Sequence, residues 1–296
     1  MRELSLIRLV IGTSFLLVAS LKDLKTRRVP DELWIIMGSI AMGILGLELL
    51  LIRKVNWQYF LIFIPIVVIF LEAFIDRPPL FSDGRLNPFV LGWLTLPLIV
   101  FIYMINVFGS DVLFWSLTMI LAVMLFSFIL YFFYILHGGA DAKAVITLAI
   151  LLPFYPEIPG LTNHAVSPEV VSSMEIFFPF TLIILLNASL IVLIFPVVNF
   201  ILNMYKGDLD IPKMFFGYKK SVSKLEDSFV WPMEYYEDGR LKTELFPRSG
   251  TDERIESLKQ RDMETVWVTP KIPFILPISI GFIMSFIIGN PILYLM

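Results

Sequence analysis

The feature that most constrains this chain is a series of long apolar runs, among them "LIRLVIGTSFLLVASL" near the start and "FFPFTLIILLNASLIVLIFPVVNFIL" further on. About 20 such residues in a helix match the roughly 30 Å of bilayer hydrocarbon at 1.5 Å rise per residue. Backbone in lipid must satisfy its own hydrogen bonds, so each run is expected to be a helix. The runs fall at roughly 4–21, 33–52, 57–75, 87–108, 112–136, 142–160, 176–203 and 272–295, about eight spans. The sixth is the weakest. Its clean apolar part runs only from Ala144 to Leu152, and Pro153, Pro156 and Pro159 interrupt its continuation, so a half-span or a helix broken near its far end stays open. Hydrophobic residues are 57% of the chain and charged residues 17%, far from a soluble domain. The expected fold class is an all-α polytopic membrane protein with a small cytoplasmic α+β insertion before the last helix.

That insertion, roughly 205–271, is the one sizeable polar stretch. In it "YYEDGRLKTELF" alternates around Asp238-Gly239 as a hairpin does, and "TDERIESLKQRD" has helical charge spacing. The expected division is therefore a transmembrane core over 1–204, the soluble subdomain over 205–271 and a last transmembrane helix over 272–296. Basic residues set the orientation, because short basic loops stay cytoplasmic. Lys22, Lys25, Arg27 and Arg28 follow the first run, which also argues against reading that run as a cleaved signal peptide. With this cluster inside, 19 of the 23 basic residues fall on the cytoplasmic side and both termini lie outside.

Composition removes several kinds of chemistry. A net charge of −3 does not suit a nucleic-acid binder. The absence of cysteine excludes disulfides, thiolate catalysis and cysteine-ligated metal, and two histidines, His137 and His164, offer little for a zinc site or a serine triad. No cofactor or metal is expected, and carboxylates become the leading candidates.

Two of them stand out. Asp23 follows the first run and Asp141 precedes the sixth, so the topology puts both at the cytoplasmic boundary. Two carboxylates about 4 Å apart at an effective dielectric near 20 repel by about 4 kcal/mol, which separates their ionisations by roughly three pH units. Such a pair shares one proton near neutrality, the state in which one carboxylate activates water while its protonated partner polarises a carbonyl. Gly138 and Gly139 allow unusual torsions and, with Ala140, leave Asp141 open to an extended peptide. The simpler alternative is that Asp141 caps the sixth helix and Asp23 is a solvated loop charge.

These residues carry a resemblance. "DLKTRRVPDELW", from Asp23 to Trp34, is similar to the first catalytic segment of prepilin and preflagellin peptidases, and "GGADAK", from Gly138 to Lys143, resembles their GxGD segment. "VWVTPKIPFILPI" resembles the start of the last helix in archaeal preflagellin peptidases. The resemblance implies a GxGD membrane aspartyl endopeptidase that removes the short basic leader from prepilin-like or prearchaellin precursors at the cytoplasmic membrane face. It makes Asp23 and Asp141 the catalytic pair, and Gly138, Gly139, Ala140 and Lys143 supporting positions. Lys143 either biases Asp141 towards ionisation or snorkels from the helix start. Two departures stand: Ala140 replaces the second glycine of the motif, and four spans separate the aspartates where the shorter archaeal enzymes have two.

Other acids have plainer readings. Asp76 and Asp83 belong to a turn-rich loop, while Glu48, Glu72 and Asp111 snorkel or cap near span ends. Glu234, Glu237, Asp238 and Glu244 are a solvated acidic surface, or a patch that reads the basic leader. The partners expected are the precursor and the lipid bilayer, with oligomeric state open. Two rival functions remain: a proton-coupled transporter using the same carboxylates, disfavoured by their place at one boundary, and an inactive pilus-assembly scaffold, favoured if Ala140 cannot hold the active geometry.

Overall fold

Membrane-length helices dominate the computed structural model, which describes residues 2–52, 56–82, 84–133, 135–136, 138–161, 174, 176–247, 251–261, 263–271 and 273–291. Five helices are long and apolar enough to cross a bilayer: α1 (Arg2–Thr26), α2 (Asp31–Leu51), α4 (Pro88–Phe108), α5 (Val112–Phe132) and α7 (Phe180–Lys206). A 3₁₀ turn, Trp57–Ile62, leads into α3 (Phe63–Glu72), and with α6 (Gly139–Leu151) and α10 (Ile275–Ile287) this makes three shorter helices. Each expected run therefore contains a helix, but among the described residues five, not eight, reach full membrane length. Local chemistry sets the boundaries. Asn87 caps α4 by accepting the Phe89 and Val90 amide protons, with Pro88 at the first helical position, and Asp111 caps α5 through the Leu113 amide.

The chain divides into two units, residues 1–188 with 273–296, and residues 189–272. In the first, α6 is the centre. It packs against α2 and α5 and touches α1 and α10. From Asp141 to Leu151 every residue except Lys143 is buried, as expected of a helix apolar on all faces. Its 13 residues span only about 20 Å, and its termini must find partners inside the protein. At the far end the Leu151 carbonyl accepts from the Arg8 guanidinium of α1, which also pairs with Glu48 of α2; the two side chains are 5% and 6% exposed. Glu48 is thus a buried partner of a buried arginine, not the snorkelling residue its place near a span end suggested. Helix α10 lies on α1 and on the first half of α7 through small residues: Ser20 and Ser279 share a 2.7 Å hydrogen bond, and a Cβ on Gly281 would fall 2.7 Å from the Ala188 nitrogen.

The second unit is the α+β part. A three-stranded antiparallel sheet in the order β3 (Tyr218–Ser221), β7 (Thr265–Pro270), β4 (Val230–Pro232) covers a small core of Val222, Leu225, Val230, Ile255, Leu258, Val266 and Val268. The expected hairpin is present as β5 (Glu234–Glu237) and β6 (Arg240–Thr243), with Asp238 and Gly239 both at positive φ, and the expected helix is α9, Thr251–Lys259. A second hairpin, β1 (Phe81–Ser82) with β2 (Arg85–Leu86), belongs to the first unit, and a short helix α8 (Lys213–Phe216) to the second. Asn203 of α7 donates to the Met214 and Gly217 carbonyls at 2.9 and 2.7 Å. Glu234 is buried, pairs with Lys213 at 2.6 Å and accepts the Trp267 amide at 3.0 Å. It is a structural anchor and forms no part of an exposed acidic patch.

The buried Arg8–Glu48 pair makes a prediction. Arg8→Met leaves an uncompensated carboxylate and is expected to lower stability by about 3–5 kcal/mol, whereas the double variant Arg8→Met/Glu48→Leu recovers most of it. Reversible unfolding of the detergent-solubilised chain measures both.

Candidate active site

Helix α1 carries Asp23 in its last turns and ends where Arg27 adopts φ 55°, its amide donating to the Asp23 carbonyl at 2.9 Å. Pro30 holds an extended conformation before α2 begins at Asp31, so residues 27–30 make a tight reversal. That reversal leaves Asp23 half-buried on the side of the bundle where α6 begins.

Asp141 is not the N-cap of α6. Gly138 takes that position, and Asp141 is the third helical residue, 6% exposed, its carboxylate reaching back to accept the Gly138 amide at 3.2 Å. Gly138 is needed for space and not for torsion: its φ of −107° and ψ of 134° are ordinary extended values, but a Cβ there would lie 2.8 Å from Asp141 Oδ2. A Cβ on Gly139 would meet nothing within 4 Å. Ala140 sits in the first turn of a right-handed helix, a conformation alanine favours above other residues, so its departure from the glycine of the motif carries no backbone strain.

Lys143 does not face Asp141. Its ammonium pairs with Asp31 at the start of α2 at 2.6 Å and lies 4.9 Å from the Phe74 ring centroid. The lysine therefore braces α6 against α2, two residues along from Asp141. Asp31 carried no expected role, although it stands in the Pro30-Asp31 pair on the same expected side of the membrane. Asp76 is exposed, while Asp83, His137 and His164 lie outside the described residues. Glu72 accepts Arg77 Nε at 2.8 Å and the Trp93 indole at 2.6 Å, and Asp111 is a cap that also accepts the Tyr59 hydroxyl.

Electrostatics link the two aspartates. Burial first, and then the Asp23 carboxylate, push the Asp141 carboxyl from 3.8 up to about 7, against the opposing Gly138 amide. Asp23 and Asp141 are thus within each other's electrostatic reach, and Asp141 holds a proton at pH values where an ordinary carboxyl has lost it. Among the described residues no cluster of three His, Cys, Asp or Glu side chains is placed to hold a metal ion. A protonated carboxyl beside a more accessible one can hand a proton to an oxygen while the other takes one from water.

Comparison with known proteins bears on this arrangement. The pattern of the archaeal peptidase A24 C-terminus, type II, matches residues 210–290. Preflagellin peptidases of Methanococcus voltae and Methanocaldococcus jannaschii are each 23% identical to the chain over 97% of its length, covering 97% and 96% of their own. The preflagellin peptidase of Methanococcus maripaludis is 24% identical, with 97% of each chain covered. The chain is thus similar to archaeal preflagellin peptidases over nearly its whole length. The match extends well beyond the quoted motifs and includes the segments between the two aspartates.

A carboxyl raised in the folded state binds a proton on folding, so its contribution to stability is complete below about 3.8 and is lost as pH rises through about 7. Melting temperature measured across that window is expected to fall with pH in the wild type and to fall less in Asp141→Asn. Gly138→Ala is expected to lower the melting temperature by several degrees, whereas Gly139→Ala leaves it within about a degree.

Proposed function

We propose that the chain is a membrane aspartyl endopeptidase that removes the short basic leader from preflagellin or prepilin-like precursors, with Asp23 and Asp141 as the catalytic pair. The observation that carries this reading is a buried carboxyl holding a proton near neutrality beside a second, more accessible carboxylate, at the edge of a helical bundle. The names of the relatives supply the substrate class.

In the proposed reaction the pair carries one proton and titrates as a unit. Asp23, ionised, takes a proton from a water molecule as its oxygen attacks the scissile carbonyl carbon, while the proton on Asp141 passes to the carbonyl oxygen. The tetrahedral intermediate collapses when the leaving nitrogen gains a proton from the pair and the C–N bond breaks. The open space around Gly139 gives an extended peptide a route past the helix start. Lys143 acts at one remove, by fixing α6 against Asp31. Ala140, held in a helical turn, removes the reason for reading the chain as an inactive scaffold.

The proposed topology keeps eight membrane-embedded segments with the N-terminus outside. The α1–α2 reversal, the start of α6 and residues 205–271 then face the cytoplasm, where the basic residues concentrate.

The test is cleavage of a preflagellin or prepilin-like precursor by the purified chain, with mass spectrometry locating the cut. Asp23→Asn and Asp141→Asn are each expected to reduce cleavage by at least about a thousandfold with helical content unchanged. Full activity in either variant would remove that aspartate from the mechanism. The rate is expected to decline above about pH 7, where Asp141 loses its proton.

A further inference from the structure

Between α3, α4 and α5 lies a groove that neither the carboxylate pair nor its bracing uses. It encloses about 600 Å³ and is lined along α3 by Pro65, Val68 and Ile69, along α4 by Pro97 and Phe101, and along α5 by Leu125, with Glu72 as its one charged wall. The groove exists because α4 is held at its ends. Val90 near its start and Met104 and Phe108 near its finish are its buried residues, while the middle, interrupted by Pro97, exposes Leu94, Leu96 and Leu98.

We propose that this groove is a binding site for one membrane phospholipid, with an acyl chain between α3, α4 and α5 and the phosphate on Arg77. Size, polarity and charge converge on that occupant. From Thr118 to Phe128 the α5 wall is about 15 Å long, and a helix about 10 Å across needs roughly 1200 Å³ over that length, twice what the groove holds. A chain of about sixteen methylenes, each roughly the 30 Å³ of a liquid water, needs about 480 Å³ and fits. Apart from Thr118, whose hydroxyl donates to the Phe114 carbonyl, the lining is apolar until Glu72. There the carboxylate accepts Arg77 Nε at 2.8 and 3.0 Å and the Trp93 indole at 2.6 Å. This holds the guanidinium beside the groove's one charged wall, and the Arg77 side chain is 31% exposed. A headgroup phosphate at that level receives charge-assisted hydrogen bonds from a pre-oriented fork. An indole bonded at the same level is the usual furniture of a membrane interface.

Native mass spectrometry of the full chain tests the site. The detergent-purified chain, stripped and then offered phosphatidylglycerol, is expected to retain one lipid through a detergent wash. Ala122→Trp fills the groove from an exposed position on α5 and is expected to abolish retention. Arg77→Gln, at the surface, is expected to weaken it about tenfold, and diacylglycerol, which lacks the phosphate, to be held about tenfold less than phosphatidylglycerol. Circular dichroism and melting confirm that each variant is folded, and Arg77→Gln serves as the decisive variant if Ala122→Trp is not. Equal retention by wild type and a folded Arg77→Gln, or equal retention of the two lipids, overturns the proposal. Stoichiometric displacement of the lipid by a precursor's apolar helix overturns it as well, and assigns the groove to the substrate.

Discussion

A 13-residue helix cannot cross a membrane, and α6 is nonetheless buried at the centre of one unit of this protein. Much else depends on that constraint. A short helix in an apolar interior leaves amide protons at one end and carbonyls at the other, and each must be met by protein. At the far end the Arg8 guanidinium meets the Leu151 carbonyl, and Glu48 balances its charge. At the near end Asp141 turns back on the Gly138 amide, and Lys143 reaches Asp31. Arg8 belongs to α1 and Glu48 and Asp31 to α2, so the helices that frame the proposed catalytic pair are tied to α6 at both of its ends. The cost is a carboxyl placed where water is scarce. Its consequence, a proton held up to about pH 7, is the property on which the proposed chemistry depends.

Much of this was legible in the sequence because lipid leaves few choices. Apolar run length located every helix of the bundle, and the order of those runs puts Asp23 and Asp141 at one boundary in the proposed topology. The hairpin at Asp238-Gly239 and the helix over Thr251–Lys259 came from local chemistry alone. The pairing of charges was harder. Arg8 and Glu48 are 40 positions apart, and only packing decides that a glutamate near a helix end turns inward. Lys143 found Asp31 and not Asp141 because the α1–α2 reversal presents Asp31 at the surface of α2 that α6 meets.

The glycines teach a related lesson. Expected to supply unusual torsions, Gly138 supplies room: a carboxylate oxygen occupies the place where its Cβ would be. Ala140 looked like the weakest position in the motif, but weakness of that kind depends on the conformation required, and the first turn of a helix suits alanine. Motif letters describe neither requirement. The groove between α3, α4 and α5 was likewise invisible in sequence, since it arises from a helix packed only at its ends.

The central claim is that Asp23 and Asp141 converge, and the absence of cysteine in the chain allows a direct measurement. Asp23→Cys and Asp141→Cys, introduced together and treated in intact membranes with a short thiol-specific cross-linker, report the separation of the two positions. Intramolecular cross-linking is expected to be at least as efficient as that of an Asp31→Cys/Lys143→Cys pair measured alongside. Efficient cross-linking of the reference pair with none between positions 23 and 141 would contradict the claim.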